Sequence, residues 1–422
     1  MTRTLLVAFA VLLTTAAIAQ DAVPPRFFIE RIEVRDAKRV SKDVVIAESR
    51  LREGQEYSEA DLRDASARLS RLPFLLSAEF ALEKGSERGR YVLVVTINET
   101  KPFFFALDLR HFLTRDNNVE PAYNDRIGAP ENFATLGFRW FVGRRGALHT
   151  ALVTSDYNRN FARDYASVVV GYTQYDLLGT RAFATLNLKH VIAEGGGSNI
   201  SPQLVVGVPL SANQTLTVEL DDTRFGPDTR EVLGEVFDTE RTQRVVGATW
   251  SYNTTNRPFL ATRGTLLSVR PRFSWSDATT YTFVQGSNPG APFPSFSVHA
   301  DTIHSEAREV TVNAARYWEL SERSSVSGGL DASLTHFRLD SDVLGLTVDR
   351  ELRGGVTGGY SYSFWDAERS KHGDSRLEVN ARLGNRSYSY ADFYRAEQRQ
   401  VSASWVRRSS WGTLRLGAGY AW

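Results

Sequence analysis

The sequence predicts an all-β transmembrane barrel of about 16 antiparallel strands, preceded by one small α+β domain. Three observations lead to this fold class. The chain starts with a segment typical of an export signal, residues 27–100 carry helical periodicity between short strands, and the remainder alternates apolar and polar residues with a period of two. A membrane barrel hides its apolar surface in such alternation, whereas a helical membrane protein shows long apolar runs.

The first 19 residues predict a secretory signal peptide. Arg3 supplies a positive charge, residues 5–13 form a short apolar run, and Ala17-Ile18-Ala19 offers a cleavage site, so we expect the mature chain to begin near Gln20. The chain contains no Cys, which excludes a cysteine-linked lipid anchor and a disulfide framework. No later stretch of about 18 apolar residues could form a spanning helix.

The composition agrees with a barrel and excludes one large class of partners. The formal net charge is +1, so the sequence lacks the basic footprint that nucleic-acid binding requires. Aromatic residues make up 11% of the chain. A mean hydropathy of -0.29 is typical of a soluble protein, but alternation lowers this average in a barrel, so the value is compatible with a membrane protein.

Residues 27–100 predict the small α+β domain. Ser41 and Ser58 are suited to cap two helices. In the second helix Leu62 and Leu69 fall on one face. A strand before the helices and two after them give the order β-α-α-β-β, which is enough for a two-layer domain.

Residues 101–422 predict the barrel. In the run Leu-Thr-Val-Glu-Leu-Asp at 216–221, for example, apolar residues alternate with polar and acidic ones. A soluble sandwich would show the same alternation, but charges in the middle of strands favour a polar lumen. The predicted strands are 103–111, 133–142, 147–157, 165–174, 181–191, 201–209, 214–223, 243–253, 265–275, 306–318, 324–337, 343–352, 356–365, 375–385, 398–407 and 413–422.

The count of strands has one alternative. The strand at 343–352 has the weakest pattern, and without it fifteen strands remain. We prefer the even count, because an up-and-down barrel that returns both of its ends to the same side needs an even number of strands.

The end of the chain carries a pattern typical of barrel closure. Leu414, Leu416, Tyr420 and Trp422 fall on one face of the last strand, opposite small and polar residues. In a soluble protein such an apolar final strand would be an aggregation-prone edge.

A resemblance to a known family covers the N-terminal domain. The stretch FFIERIEVRDAKRVSKDVVIAESRLREGQEYSEADLRDASARLSRLPFL, followed by YVLVVTINET, resembles one POTRA domain. Such domains are the periplasmic modules of the bacterial outer-membrane assembly and transport superfamily, which includes the Bam- and Tam-type insertases, the bacterial surface antigen family and the two-partner-secretion transporters. Asp36-Ala37 stand where these domains usually place Gly, and Asp tolerates turn conformations.

A second resemblance lies inside the barrel. The stretch TWSYNTTNRPFLATRGTLLSV is similar to a short periplasmic turn of the superfamily, of the form Asn/Asp-x-Pro-x-x-Pro-Thr-x-Gly. Asn256, Pro258, Thr262 and Gly264 match it, and Ala261 replaces the second Pro. Pro and Gly predict a turn here on physical grounds as well.

A third resemblance concerns the lumen. In the superfamily an Arg on a loop inside the barrel meets an acidic residue of the wall, and here Arg353, Gly354 and Asp366 are the candidates for a degenerate lumen lock. The alternative is a plain hairpin turn at Gly354-Gly355, which the strand order places at a periplasmic turn.

The sequence carries no pattern typical of an enzyme. No two of the seven His share a metal-ligand spacing on one element. Asp221 and Asp222 are adjacent in a strand and point to opposite faces, so they cannot form a facing carboxylate pair. We therefore predict no catalytic, metal or cofactor site.

The resemblance implies a function, a location and partners. It implies assembly, insertion or translocation of polypeptides at the bacterial outer membrane, through a seam that opens between the first and last strands. Unfolded outer-membrane or secreted polypeptides would be the clients, the N-terminal domain would lie in the periplasm with periplasmic or lipoprotein partners, and the barrel would contact the lipid bilayer. The alternative is a passive channel or scaffold that kept the architecture and lost insertase activity.

Overall fold

Two sheets account for nearly all of the structure: a four-stranded sheet near the N-terminus and a closed barrel of fifteen strands. Among the described residues, no helix is both long and apolar enough to cross a membrane. The predicted signal peptide lies outside the described residues. The computed structural model describes residues 25–69, 72–114, 132–156, 165–193, 198–232, 235–256, 261–286, 295–341, 345–364, 374–388 and 395–421.

The first sheet and two helices form what we call the N-terminal unit. The sheet has the order β2-β1-β4-β3, with β1 and β4 parallel and the other pairs antiparallel. The four-residue strand β2 between the helices was not predicted. The elements are β1 (Arg26–Arg35), α1 (Lys42–Ser49), β2 (Gln55–Ser58), α2 (Glu59–Leu69), β3 (Leu75–Lys84) and β4 (Arg90–Glu99).

Local chemistry explains how these elements begin and end. Asp36 ends β1 in the left-handed region, with φ of 61°, at the turn where the resemblance expects Gly. Ser58 and Asp61 form a reciprocal N-terminal cap of α2: the Asp61 N–H donates to Ser58 Oγ over 3.2 Å, and the Ser58 N–H donates to Asp61 Oδ2 over 2.9 Å. Between helices and sheet lies a fully buried apolar core that includes Ile29 and Leu93.

The barrel begins four residues after β4. Each strand pairs antiparallel with its neighbour along the chain, and β19 closes the barrel against β5. The strands are β5 (Phe103–Thr114), β6 (Asn132–Val142), β7 (Gly146–Asp156), β8 (Tyr165–Leu177), β9 (Ala182–Ala193), β10 (Ser198–Pro209), β11 (Gln214–Val232), β12 (Glu235–Asn253), β13 (Gly264–Gly286), β14 (Ser295–Ser321), β15 (Ser324–Ser341), β16 (Gly345–Ser363), β17 (Asp374–Tyr388), β18 (Arg395–Ser409) and β19 (Gly412–Ala421).

The preferred count of sixteen strands is wrong, and the alternative of fifteen is correct. Segments 343–352 and 356–365 are one continuous strand, β16. Gly354 and Gly355 lie inside this strand, and Gly355 provides room there and not a turn. A Cβ on Gly355 would lie 3.1 Å from both Arg382 Nη2 and Asp331 Oδ1, which form an ion pair across the strand.

The odd count changes how the barrel closes. Strands β19 and β5 run parallel, with Leu414 opposite Leu107 and Gly417 opposite Arg110. The last strand therefore ends at the barrel end away from the N-terminal unit, and the parity argument, which returned both chain ends to the same side, is wrong.

The two faces of the barrel wall differ in polarity. Charged residues such as Glu219, Glu378 and Arg382 lie on the inner face, and apolar side chains form a belt on the outer face. A continuous exposed apolar belt around a closed barrel is the surface of a membrane-spanning barrel. The belt includes Leu136, Trp140, Leu152, Val170, Leu186, Leu188, Leu204, Leu220, Val310, Leu334, Leu352, Leu383, Val401 and Leu416.

Candidate functional site

The candidate site is the barrel lumen together with its mouth on the side of the N-terminal unit. This mouth is the barrel end at which β5 begins and at which short turns join β6 to β7, β8 to β9 and β10 to β11. Two segments cover it from opposite sides: part of the N-terminal unit, and the turn between β12 and β13.

The connection between α2 and β3 enters the mouth; we call residues 72–75 the mouth loop. The Phe74 ring packs edge-on against Phe141, with 4.7 Å between ring centroids, and against Tyr175 at 5.7 Å. Arg139 Nη1 donates to the Pro73 carbonyl over 2.7 Å. Phe74 and Tyr175 are buried, so the apolar core of the N-terminal unit continues into the mouth.

A second set of contacts joins helices α1 and α2 to the β10–β11 turn. The Arg50 guanidinium donates to the carbonyls of Ser211 and Ala212, the latter over 2.8 Å. Asn213 Nδ2 donates to Asp64 Oδ2 over 3.2 Å. Arg50 ends α1 in the left-handed conformation, which turns its side chain out of the helix path towards the barrel.

One acidic group is enclosed at this junction. Burial raises the pKa of the Glu48 carboxyl to about 6; Asp176 raises it further, while Arg50 and Arg181 act in the opposite direction. The ionised form of Glu48 is thus disfavoured when the N-terminal unit is docked on the barrel.

The β12–β13 turn covers the opposite side of the mouth. Asn256 holds it: Asn256 Nδ2 donates to Thr262 Oγ1 over 2.8 Å, and the Thr262 N–H donates to Asn256 Oδ1 over 3.1 Å. Gly264 has φ of 109°, and a Cβ there would lie 2.3 Å from the Thr254 carbonyl oxygen. Thr262 is buried, and Pro258, predicted for this turn, lies outside the described residues.

This turn also contacts the barrel wall four strands away from β13. Arg376 on β17 is buried, and its Nη1 donates to the Ala261 carbonyl over 3.4 Å. Strands β14 to β16 lie between β13 and β17 in the sheet, so the contact crosses the mouth and does not run along the wall.

Above the mouth, the lumen is lined by ion pairs between strands. Glu219 accepts from Arg270 and lies 3.9 Å from Arg272. Arg382 lies 2.8 Å from Asp331, and Arg415 lies 3.3 Å from Glu378. Within the described part of the chain no three His, Asp or Glu are grouped as a metal site requires.

The predicted lumen lock has a different environment from the one expected. Arg353 lies inside β16, and its Nε donates to Glu351 on the same strand, so the expectation of a hairpin turn at Gly354 is wrong. Glu351 is buried. The predicted partner Asp366 lies outside the described residues.

The seam between β5 and β19 contains the predicted C-terminal signal. Leu416 and Tyr420 are exposed on the outer face and Leu414 is half-buried there; Trp422 lies outside the described residues. At the start of the seam Gly412 has φ of 147°, and its Cβ position falls 1.7 Å from the Phe105 carbonyl oxygen, so this position accepts glycine alone.

Sequence analysis missed the residues of the mouth. A signal was present: Phe141, Tyr175 and Phe183 are aromatic residues on the inner face, each near the end of a strand on the side of the N-terminal unit. Aromatic residues at such positions need a covering partner, and the mouth loop supplies it for Phe141 and Tyr175.

Comparisons with known proteins give distant matches. No protein-family model matches the chain, and no curated protein matches its sequence. Among solved structures it is similar to BamA from Haemophilus ducreyi lacking POTRA domains 1–3, with a TM-score of 0.44 and 12% identity over 94% of this chain and 81% of that one. It is also similar to CdiB from Acinetobacter baumannii (TM-score 0.43, 9% identity, 91% and 61% of the chains). A third match is the ferric-catecholate import receptor Fiu from E. coli K12 (TM-score 0.38, 10% identity, 77% and 65%).

Proposed function

We propose that this protein assembles, inserts or translocates polypeptides at the bacterial outer membrane. In this proposal the N-terminal unit is a single POTRA-like domain in the periplasm, and the barrel spans the outer membrane. The observation that carries the proposal is the mouth loop, which places Phe74 of the N-terminal unit between aromatic residues of a charge-lined lumen. The same unit that would receive a client is thereby in contact with the pathway that the client would take.

The sheet of the N-terminal unit offers a place for an extended client segment. Strand β3 is at the edge of the sheet, with β4 on one side. At the other edge, β2 pairs with residues 26–29 of β1, and beyond β2 the Ile32 N–H of β1 already donates to Glu53 Oε1 over 2.9 Å. A client strand could add to β3 around residues 78–82 by β-augmentation, directly beside the mouth loop.

A second candidate function is a passive channel or scaffold. One observation favours it: the seam is continuous, with ten residues of β19 in register with β5. A barrel that is hydrogen-bonded all the way round needs no opening to be stable. Under this alternative the N-terminal unit serves as a fixed cover of the mouth.

Cross-linking of the seam separates the two. We expect the pair Ala106→Cys and Thr413→Cys, which face each other across the seam, to form a disulfide at the spacing of neighbouring strands. The control pair is Thr135→Cys and Val153→Cys, opposite each other in β6 and β7. The chain has no native Cys that could interfere.

The readout is the outer-membrane proteome of cells in which each variant is the sole copy, compared with cells lacking the gene. Oxidation of the seam pair should reproduce the loss seen without the gene, and oxidation of the control pair should not. Full function of the oxidised seam variant would exclude a lateral route. No proteome change on deletion of the gene would support the passive alternative.

A further inference from the structure

Six neighbouring strands extend far beyond the thickness of a membrane. Strands β11 to β16 contain between 18 and 27 residues, whereas about 9–11 residues suffice to cross a bilayer. The surplus lies at the barrel end away from the N-terminal unit. The apolar belt of the outer face therefore ends partway along these strands, at a border with the extension.

Three basic side chains lie next to one another along this border. Arg308 is directly opposite His336, and His336 is directly opposite Arg350, on three successive strands. Two positions closer to the N-terminal unit on each strand, the belt residues Val310, Leu334 and Leu352 are exposed. The three basic groups thus lie where the headgroups meet the acyl chains that cover the belt.

This row is suited to phosphate. Arg308 and Arg350 are both exposed, and the Arg308 guanidinium lies 5.8 Å from the centroid of the Phe273 ring. Neighbouring strands are about 4.8 Å apart, so Arg308 and Arg350 attach to the wall about 10 Å apart. That spacing accommodates a ligand with two phosphate groups, one near each arginine, with charge-assisted hydrogen bonds from both guanidinium groups.

The same outer face has a cavity of about 510 Å³ next to this row, on the side away from the N-terminal unit. Phe273 and Trp275 line it with rings 5.3 Å apart. Glu306 and Asp340 add acceptors around these rings and Arg338 adds donors, while Asp277 is paired with His304 over 2.6 Å. An aromatic surface ringed by carboxylates and a guanidinium suits a ligand with one apolar face and several hydroxyl groups, which is the chemistry of a sugar.

We propose that the outer face of β13 to β16 binds a phosphorylated glycolipid of the surrounding leaflet. Its acyl chains lie on Val310, Leu334 and Leu352, its phosphates contact Arg308 and Arg350, and its sugar occupies the cavity at Trp275. The proposal requires that the barrel spans a membrane and is independent of whether it inserts polypeptides.

The test uses the refolded full-length chain in nonionic detergent. An acylated glucosamine disaccharide with two phosphates is titrated, and native mass spectrometry and tryptophan fluorescence report binding. The dephosphorylated lipid, phosphatidylglycerol and inorganic phosphate are titrated in parallel. The double variant Arg308→Gln/Arg350→Gln is compared with Arg263→Gln/Arg407→Gln, which removes two exposed arginines at the other end of the barrel.

We expect the diphosphorylated lipid to bind at least about tenfold more tightly than the dephosphorylated one, an advantage that Arg308→Gln/Arg350→Gln loses and the control pair keeps. Trp275→Ala should weaken binding of the diphosphorylated lipid several-fold and leave phosphatidylglycerol unaffected. Equal binding of the two glycolipids, or equal binding by the two double variants, would overturn the proposal. So would complete displacement by millimolar inorganic phosphate, which indicates a free-anion site. Heat-dependent gel migration verifies that each variant is folded.

Discussion

The N-terminal unit and the barrel bury opposite kinds of side chains. Among the described residues, the apolar side chains that are fully buried, such as Leu69 and Leu93, belong to the N-terminal unit, and every exposed large apolar side chain lies at Phe103 or beyond. The barrel instead encloses ion pairs such as Arg382–Asp331. The two regions differ because the surface of the N-terminal unit meets water, whereas the outer surface of the barrel meets lipid.

The strands of the two regions differ in whether apolar and polar residues alternate. Strand β4 of the unit contains the run Val92 to Val95, in which four successive residues are all buried and no alternation is seen. Strand β11 of the barrel alternates, because one face meets lipid and the other the lumen. A period of two identifies a strand with two different faces, and the polarity of the solvent on each side then decides which face is inside.

The mouth is where the two patterns meet. Phe74 belongs to the core of the unit, and Tyr175 belongs to the inner face of the barrel, yet both are buried in one apolar cluster. Changes in the two regions and at this junction should therefore have effects of different size and kind.

The largest effect is expected from a charge in the core of the unit. Leu93→Asp places an unpaired carboxylate among apolar side chains and should destabilise the unit by about 5 kcal/mol, enough to unfold it. Limited proteolysis should then remove the unit, while the barrel keeps its heat-dependent gel migration. Thr96→Asp, half-buried on the same strand, is the control. Loss of the barrel together with the unit would show that the two fold as one.

The next effect concerns the junction. Phe74→Ala removes both ring contacts and should weaken docking by about 3 kcal/mol, the lower end of the range for aromatic truncation in a core. Hydrogen exchange at the mouth loop should accelerate. Phe28→Ala, whose ring lies 5.6 Å from Arg90 within the unit, should leave exchange at the mouth loop unchanged. Equal acceleration in both variants would mean that the mouth loop reports stability of the unit and not docking.

A third change compares the two faces of one strand. Leu204→Arg puts a charge on the lipid face of β10 and should cost about 2–4 kcal/mol near the middle of the bilayer. Val205→Arg, one residue further on, points to the lumen directly opposite Glu219 and should cost far less. Urea unfolding in lipid vesicles measures both. Similar losses would contradict the assignment of lipid and lumen faces.

The smallest effect depends on pH. The pKa of Glu48 is about 6 in the docked state against an ordinary value of 4.5, so docking is strongest below pH 4.5 and weakens as the pH rises to about 6, by about 2 kcal/mol in all. Glu48→Gln should make docking independent of pH in this range and stronger above it. Exchange of the mouth loop at pH 4 and pH 7 measures the change.

The control for this pH effect is Glu79→Gln, at an exposed position of β3. It should retain the wild-type difference between the two pH values. A persistent difference in Glu48→Gln would assign the pH dependence to another group.

Features that depend on neighbours along the chain could be predicted from the sequence. The cap at Ser58, the turn at Asn256 and Gly264, and the outward positions of Leu416 and Tyr420 each follow from a few adjacent residues. The glycine pair at 354–355 was the exception: its local pattern predicts a turn, but the pair lies inside a strand, where Gly355 leaves space for an ion pair between distant residues.

By itself, the sequence determined the alternating strands, the two helices of the N-terminal unit and which faces carry charge, since these depend on periods of two and about four residues. The tertiary structure alone decided the strand count of fifteen, the parallel seam and the covering of the mouth. It also decided the pairing of Arg382 with Asp331 and of Arg376 with the Ala261 carbonyl. These contacts join residues 51 and 115 positions apart, and the register between distant strands that brings them together is set by the closure of the whole barrel, which no local pattern records.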